Sequence, residues 1–269
     1  MAGARVTTIC LAIPHTPWIK ERFESMMRVR EELCTGEARF YREFTERASN
    51  KVWPRAMWGW MLETGAKWCL TVQDDTIPAP CFWAALRAML EHMGPRRVLG
   101  LSAVHPLGPS VAREGHRWYR TRSWLVGWAY AIHRDDLAEF VEYFDAHPEM
   151  VAANNEDELL NKWIQLTGRD VWHPVPTIID HDTSIKSSYA NDEHTHRRAT
   201  VTWRDYGAAS LSDPDFWLPS GEPQLLPMAW TYSCWFCQQE PGKLKSPHTG
   251  AWLGANCLAN MLVHICGRL

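Results

Sequence analysis

Short runs of continuous apolar residues alternate along this chain with stretches of helical period. Residues 6–13 (VTTICLAI) are β-branched and unbroken, which suits a strand buried on both faces, and Pro14 is expected to end it. Residues 18–33 carry apolar positions at helical spacing. Pro54 is placed to open a second helix over 55–64, with Gly65 at its C-terminal end. Residues 68–72 (WCLTV) form the next apolar run and lead directly into Gln73-Asp74-Asp75. Pro78 and Pro80 introduce a helix over 81–92, and 98–104 (VLGLSAV) is a third strand. A polar, Arg-rich loop is expected over 105–122, then a strand over 124–132 and a helix over 136–144 capped by Asp135. Residues 156–166 read as a further helix and 171–179 as an extended, proline-broken segment. This alternation predicts an α/β fold, a mainly parallel, Rossmann-like sheet sandwiched by helices. In such sheets ligands bind beyond the C-terminal ends of the strands, where Asp74 and Asp75 fall.

Composition narrows the class without naming a function. The chain has 269 residues, 46% hydrophobic and 22% charged, the balance of a globular protein rather than a disordered or fibrous one. A net charge of −3 gives no global field to draw in nucleic acid. No apolar stretch approaches the roughly 20 residues of a membrane span, and residues 6–13 lack the features of a signal peptide. The expectation is a cytoplasmic protein without a membrane partner. The 16 Trp supply either core volume or stacking surface. Prolines crowd residues 212–227, so the expected organisation is a domain over 1–202, a linker or wrapping segment over 203–228, and a small Cys/His module over 229–269.

Three polar constellations carry candidate chemistry. Asp74 and Asp75 are adjacent carboxylates at a strand end, which repel unless a cation or hydrogen bonds compensate. Hard oxygen ligands favour Mg²⁺ or Mn²⁺, and such an ion bridges carboxylate to phosphate. A solvated turn is the plainer reading. The run Asn154-Asn155-Glu156-Asp157-Glu158 places acids where a helix dipole favours them, and one of them can also serve as a general base. Ile179-Asp180-His181-Asp182-Thr183-Ser184 sets a histidine among carboxylates, and Lys186 follows as a phosphate-binding point charge.

The order TVQDDTIP, WAYAIHRDDLAEF, NNEDELLNKW, PVPTIIDHDTSIKSS resembles the GT-A glycosyltransferases, in particular compact phage or bacterial ones of inverting, family-2-like type, over roughly residues 5–190. The resemblance implies a nucleotide-sugar donor. It aligns Gln73-Asp74-Asp75 with the family's Asp-x-Asp, making Asp75 a metal ligand. Gln73 replaces the first Asp and departs from that pattern. Glu156-Asp157 matches the family's Glu-Asp pair, which implies Asp157 as general base with Glu156 as helper. His181 matches a late histidine that completes coordination of Mn²⁺ or Mg²⁺. Ser184, Lys186 and Ser187 would lie near the diphosphate, and Pro14, His15 and Thr16 near the base and ribose. Gly127 matches a small residue on the acceptor side.

Cys234 and Cys237 form a C-x-x-C pair near the C-terminus. If residues 256–265 are helical, Cys257 and His264 are too far apart to share a tetrahedral ion. The expected structural Zn²⁺ set is therefore Cys234, Cys237, His248 and Cys257, with free thiols in a Trp-rich core as the alternative. Two basic clusters, Arg113–Arg122 with Trp118, Tyr119 and Trp124, and His194, His196, Arg197 and Arg198, interleave charge with aromatics. Solvated arginine is the commoner reading of such runs. Phage members of the resembled class modify DNA, so a hydroxymethylated DNA base is the specific acceptor the resemblance implies. Two competing readings stand beside the enzyme. One is a non-catalytic zinc-containing nucleic-acid-binding protein on a degenerate transferase fold. The other is a metal-dependent nucleotidyl or phosphoryl transferase.

Overall fold

The computed structural model describes residues 7–45, 52–102, 108–122, 129–148, 156–185 and 201–226, with two short strands at 244–245 and 252–253. The chain divides into two compact units, Met1–Gln224 and Leu225–Leu269. In the first, the order is β1 (Ile9–His15), α1 (Lys20–Leu33), β2 (Phe40–Thr45), α2 (Val52–Glu63), β3 (Trp68–Val72), β4 (Thr76–Pro78), α3 (Phe82–His92), β5 (Arg97–Gly100), α4 (Gly108–Arg113) and β6 (Trp118–Thr121). There follow β7 (Ala129–His133), α5 (Arg134–Ala146), α6 (Glu156–Thr167), β8 (Asp170–Pro174), β9 (Ile179–His181), a 3-10 turn at Trp203–Asp205, α7 (Ala208–Leu211) and a second 3-10 turn at Pro214–Trp217; the two-residue edge strand β10 (Gln224–Leu225) falls at the boundary of the two units.

The main sheet has eight strands in the order β10-β6-β8-β5-β7-β3-β1-β2. Strands β1, β2, β3, β5 and β8 share one direction, and β6 and β7 oppose it. The α/β expectation holds, but the sheet is mixed at its centre. β7 runs antiparallel to both neighbours, so its first residues, Ala129 and Tyr130, lie beside Val72 and Thr71 at the end of β3. A smaller antiparallel pair joins β4 to β9 and sets Thr76 opposite His181.

Each face of the sheet buries its own helices. Ile9, Leu11, Ile13, Trp68, Leu70 and Val72 pack with Met26, Val29 and Leu33 of α1 and with the apolar stripe of α3. Cys10, Ala12, Cys69, Tyr130 and Ile132 pack with Met57, Trp58 and Met61 of α2, and with α5 and α6. Alternate residues of β1 and β3 thus serve opposite cores, which explains why both strands are apolar throughout. Several tryptophans are core volume: Trp58, Trp68, Trp163 and Trp217 are among the largest fully buried side chains. Trp18, by contrast, is exposed.

Four local expectations change. β1 continues through Pro14 to His15. Its pairing to β3 runs only as far as Ala12 opposite Thr71, so the missing N–H of Pro14 falls past that ladder. α5 is capped by His133, whose ring accepts from the Asp135 N–H at 3.3 Å, and Asp135 occupies the first turn. β2 was not anticipated; it is an outer strand, paired to β1 alone. The expected Arg-rich loop contains α4 and β6. Trp118 and Tyr119 are buried in β6, and Arg117 and Arg120 are engaged within the fold. Arg120 pairs with Asp170 at 2.5 Å and Glu222 at 3.5 Å, and Arg117 donates to the Phe216 carbonyl at 3.2 Å while lying over the Phe216 ring.

Residues 203–224 belong to this first unit. Trp203, Leu211, Phe216 and Trp217 are buried in the α1/α3-side core. Trp118 Nε1 donates to the Trp217 carbonyl at 3.2 Å, and Arg120 Nε to the Pro223 carbonyl at 3.1 Å.

Gly100 ends β5 where the His173 ring crosses it. A Cβ there would sit 2.6 Å from the ring, and the ring is itself stacked on Tyr119. Gly100→Ala is expected to lower stability by about 1–3 kcal/mol through overpacking, read as a fall in urea midpoint at unchanged m-value.

In the second unit, β11 (Leu244–Lys245) and β12 (Trp252–Leu253) pair antiparallel. Cys234, Cys237, His248 and Cys257, with Gly127 and the cluster His194 to Arg198, lie outside the described residues.

Candidate functional site

The C-terminal ends of β1 and β3 are adjacent because the two strands pair in parallel. Beyond β3 the chain turns through Asp74 and Asp75 into β4, and β9 lies against β4. This places Asp75 and His181, distant in sequence, in contact. His181 Nε2 stands 3.3 Å from Asp75 Oδ2. The Asp182 N–H donates to the Asp75 carbonyl at 2.8 Å.

A residue not singled out in the sequence joins this group. Arg22, on the inner face of α1, donates through Nε to Asp74 Oδ2 at 3.2 Å, through Nη2 to Asp74 Oδ1, and through Nη1 to Asp75 Oδ2 at 2.8 Å. The backbone N–H of Thr16, just past β1, donates to Asp74 Oδ2 at 2.9 Å. All four charged or titratable side chains are buried, with Asp74 at 0% and Arg22 at 2% exposure. The carboxylates are therefore not a solvated turn. Burial pushes the Asp74 carboxyl up to about 6, against the pull of Arg22. Burial opposes ionisation of Asp75 as well, yet the His181 hydrogen bond and the Arg22 charge hold its carboxyl below the ordinary range. Asp75 Oδ1 is buried without a hydrogen-bond partner, as is His15 Nδ1 at the tip of β1.

Around this core the neighbouring acids are also paired. Arg28, two turns along α1, binds Asp182 at 3.0 Å, and Asp182 Oδ1 accepts from the Ser184 N–H at 3.1 Å and from its hydroxyl at 2.5 Å. Asp180 accepts from Arg204. Ser184 thus closes a turn onto Asp182. Lys186 and Ser187 lie outside the described residues.

A recess opens at the same sheet edge on the α2/α6 side. It is lined by Pro14, Trp53, Met57, Thr71, Gln73, Tyr130, Asp157 and Leu160, and measures about 280 Å³ counted out to open solvent. Pro14 comes from the tip of β1, Gln73 from the end of β3, Tyr130 from the start of β7 and Asp157 from the first turn of α6. Trp58 Nε1 lies 3.3 Å from the Tyr130 hydroxyl and backs the recess. Asp157 is partly buried, and burial pushes its carboxyl above the ordinary value, with the Glu158 N–H at 2.9 Å pulling the other way. Glu156 begins α6, and its side chain lies outside the described set.

Pro14, Gln73 and Asp157 therefore meet in one recess, and Asp74, Asp75, Thr16 and His181 meet in one buried cluster. Gln73 and Asp74 link the two through a single peptide bond. Arg22 had a signal in the sequence: it occupies the register of the buried face of α1, with Ser25, Met26, Val29 and Leu33. An arginine there needs a buried partner. Thr71 and Tyr130 carried no such signal.

No known protein family matches the chain, and no curated protein does. Among solved structures, it is similar to a mannose-1-phosphate geranyltransferase from Thermus thermophilus, with 14% identity and a TM-score of 0.38 over 62% of this chain and 73% of that one. It is similar to A197 from STIV at 10% identity and a TM-score of 0.38, over 65% and 85% of the two chains. It is also similar to a glycosyltransferase involved in glycosylating the major capsid of PBCV-1, at 12% identity and a TM-score of 0.30, over 52% and 66%.

Proposed function

We propose that the chain is a transferase that binds a nucleotide-sugar donor at the C-terminal edge of its sheet and passes the sugar to an acceptor hydroxyl. The observation that carries this reading is the recess that brings Asp157 of α6 to Pro14 and Gln73 at the strand ends. Asp157 Oδ takes the proton of the acceptor hydroxyl as that oxygen bonds to the anomeric carbon. The bond from that carbon to the donor's phosphate oxygen breaks, and its electron pair leaves with the nucleoside diphosphate. A carboxylate whose affinity for the proton is raised by burial is a better base for this step than a solvated one. Gln73 and the Tyr130 hydroxyl supply uncharged hydrogen-bonding groups in the recess.

The resembled family brings Mn²⁺ or Mg²⁺ to Asp75 and His181. The donor set here fits such an ion poorly. Both Asp74 oxygens are engaged by Arg22 and Thr16, and Asp75 Oδ2 lies between Arg22 and His181. Of the pair's four carboxylate oxygens, Asp75 Oδ1 alone lacks a partner among the described residues, for an ion that takes oxygen ligands in number. Among the described residues no group of three His, Cys, Asp or Glu side chains could hold a metal. The acceptor is proposed only as a hydroxyl-bearing molecule. In the basic run Arg113–Arg122, Arg117 and Arg120 are engaged within the fold.

The test is a thermal-shift and hydrolysis panel of nucleoside diphosphates and their sugar conjugates on the full chain. One nucleotide series is expected to raise Tm, and its sugar conjugate to release nucleoside diphosphate. A panel in which no nucleotide shifts Tm and no conjugate is cleaved overturns the reading.

A further inference from the structure

A pair of adjacent carboxylates at a strand end requires a positive partner. The chemistry of Asp74 and Asp75 invites a divalent ion, but the fold supplies something else. The guanidinium of Arg22 reaches Asp74 in a two-pronged contact and Asp75 with its remaining nitrogen, at 2.8 Å. Planar, permanently charged and weakly hydrated, it is suited to a buried carboxylate pair in a way lysine is not. Its rigid fork is held by α1, whose Met26, Val29 and Leu33 pack into the core below. The groups facing it are Asp74 and Asp75 from the β3–β4 turn, with His181 of β9 on the far side of Asp75. An ion at Asp75 would stand close to a fixed cation in a site of low dielectric, and the two would repel.

We infer that Arg22 is a built-in counter-cation for the Asp74–Asp75 pair, occupying the electrostatic place of a divalent metal, so that this strand end does not bind Mn²⁺. The inference deepens the proposed function by making the donor site metal-independent at Asp75, yet it stands on the ion-pair geometry alone. It makes Arg22 a positioning residue: it orders the turn that carries Gln73 to the recess.

The experiment needs no donor. The full chain is titrated with MnCl₂, and bound ion is followed by the loss of the free Mn²⁺ electron paramagnetic resonance signal, in wild type, Asp75→Asn and Arg22→Gln. Wild type is expected to show no saturable Mn²⁺ site that Asp75→Asn removes, and added MnCl₂ is expected to leave its Tm unchanged. Arg22→Gln uncovers the carboxylates and is expected to lose Tm, with part of that loss restored by MnCl₂. If Arg22→Gln does not fold, wild type and Asp75→Asn decide the matter between them. Saturable binding of one ion per chain in wild type, abolished in Asp75→Asn, overturns the inference. That result leaves the nucleotide-sugar reading standing, while an inert nucleotide panel leaves the Arg22 assignment standing.

Discussion

Asp157→Asn is expected to lower turnover by about 10²–10⁴-fold, the usual contribution of a positioned general base, without lowering Tm. The amide keeps the shape and still accepts from the Glu158 N–H, but it cannot take a proton. The direction of the stability effect follows from the raised carboxyl. Burial lifts it in the folded chain above its ordinary value of 3.8. A group raised in this way favours folding fully below its unfolded value, and that benefit is lost as pH rises through the folded value. At neutral pH the ionised form is therefore a net cost, and the neutral amide removes it. Tm of the variant is expected to equal or exceed wild type at pH 8, with the difference closing as pH falls toward 4. The same shift places the acid limb of the wild-type pH–rate profile above the ordinary carboxylate range. A variant that retains full turnover, or a profile whose acid limb sits at the usual carboxylate value, would remove Asp157 from the role.

Arg22→Met carries the second large effect, and it falls on the fold. Deleting one partner of a buried ion group leaves the other charges uncompensated, which costs about 3–5 kcal/mol. Here two carboxylates lose their shared cation at once. For a body of this size that corresponds to a fall in Tm of about 10 °C. The loss comes from unpaired charge rather than from volume. Arg22→Met combined with Asp74→Asn and Asp75→Asn is therefore expected to recover much of it, because the buried charge is gone from both sides. Urea denaturation of the single and triple variants measures the difference. A single variant within about 1 kcal/mol of wild type would mean that the guanidinium does not hold this strand end together.

The parts of the fold that were legible before the structure are those where one residue pattern has one physical solution. Trp68–Val72 is read from its apolar run because both its faces are buried. The helix at Glu156–Thr167 is read from its period. Phe40–Thr45 was not, because only Phe44 in it is buried and its polar positions hide the strand that pairing to β1 creates. The β6 strand was missed for a related reason. Its Arg120 reads as part of a solvated loop until Asp170 and Glu222 arrive from elsewhere in the chain. The candidate site divides in the same way. Asp74 and Asp75 follow a recognisable strand end, and the family resemblance implied that His181 joins them; the β4–β9 pairing that brings His181 there left no mark in the sequence. Their counter-charge could not be anticipated, because Arg22 is 52 residues away from Asp74 and the pairing depends on how α1 lies across the sheet. The mixed direction of the central sheet was equally hidden, since strand polarity is set by connections and leaves no mark on the composition of β7.

The stretch 203–224 sets where this protein can be shortened. Trp217 and Phe216 take their places beneath β6, and Trp118 and Arg117 hold their carbonyls. A fragment ending at residue 202 would leave Trp118 without its acceptor and open an apolar wall to water, the kind of surface on which chains adhere to one another. Expression boundaries drawn from the proline-rich composition would cut through the core, so a stable minimal fragment has to retain the chain at least through Gln224.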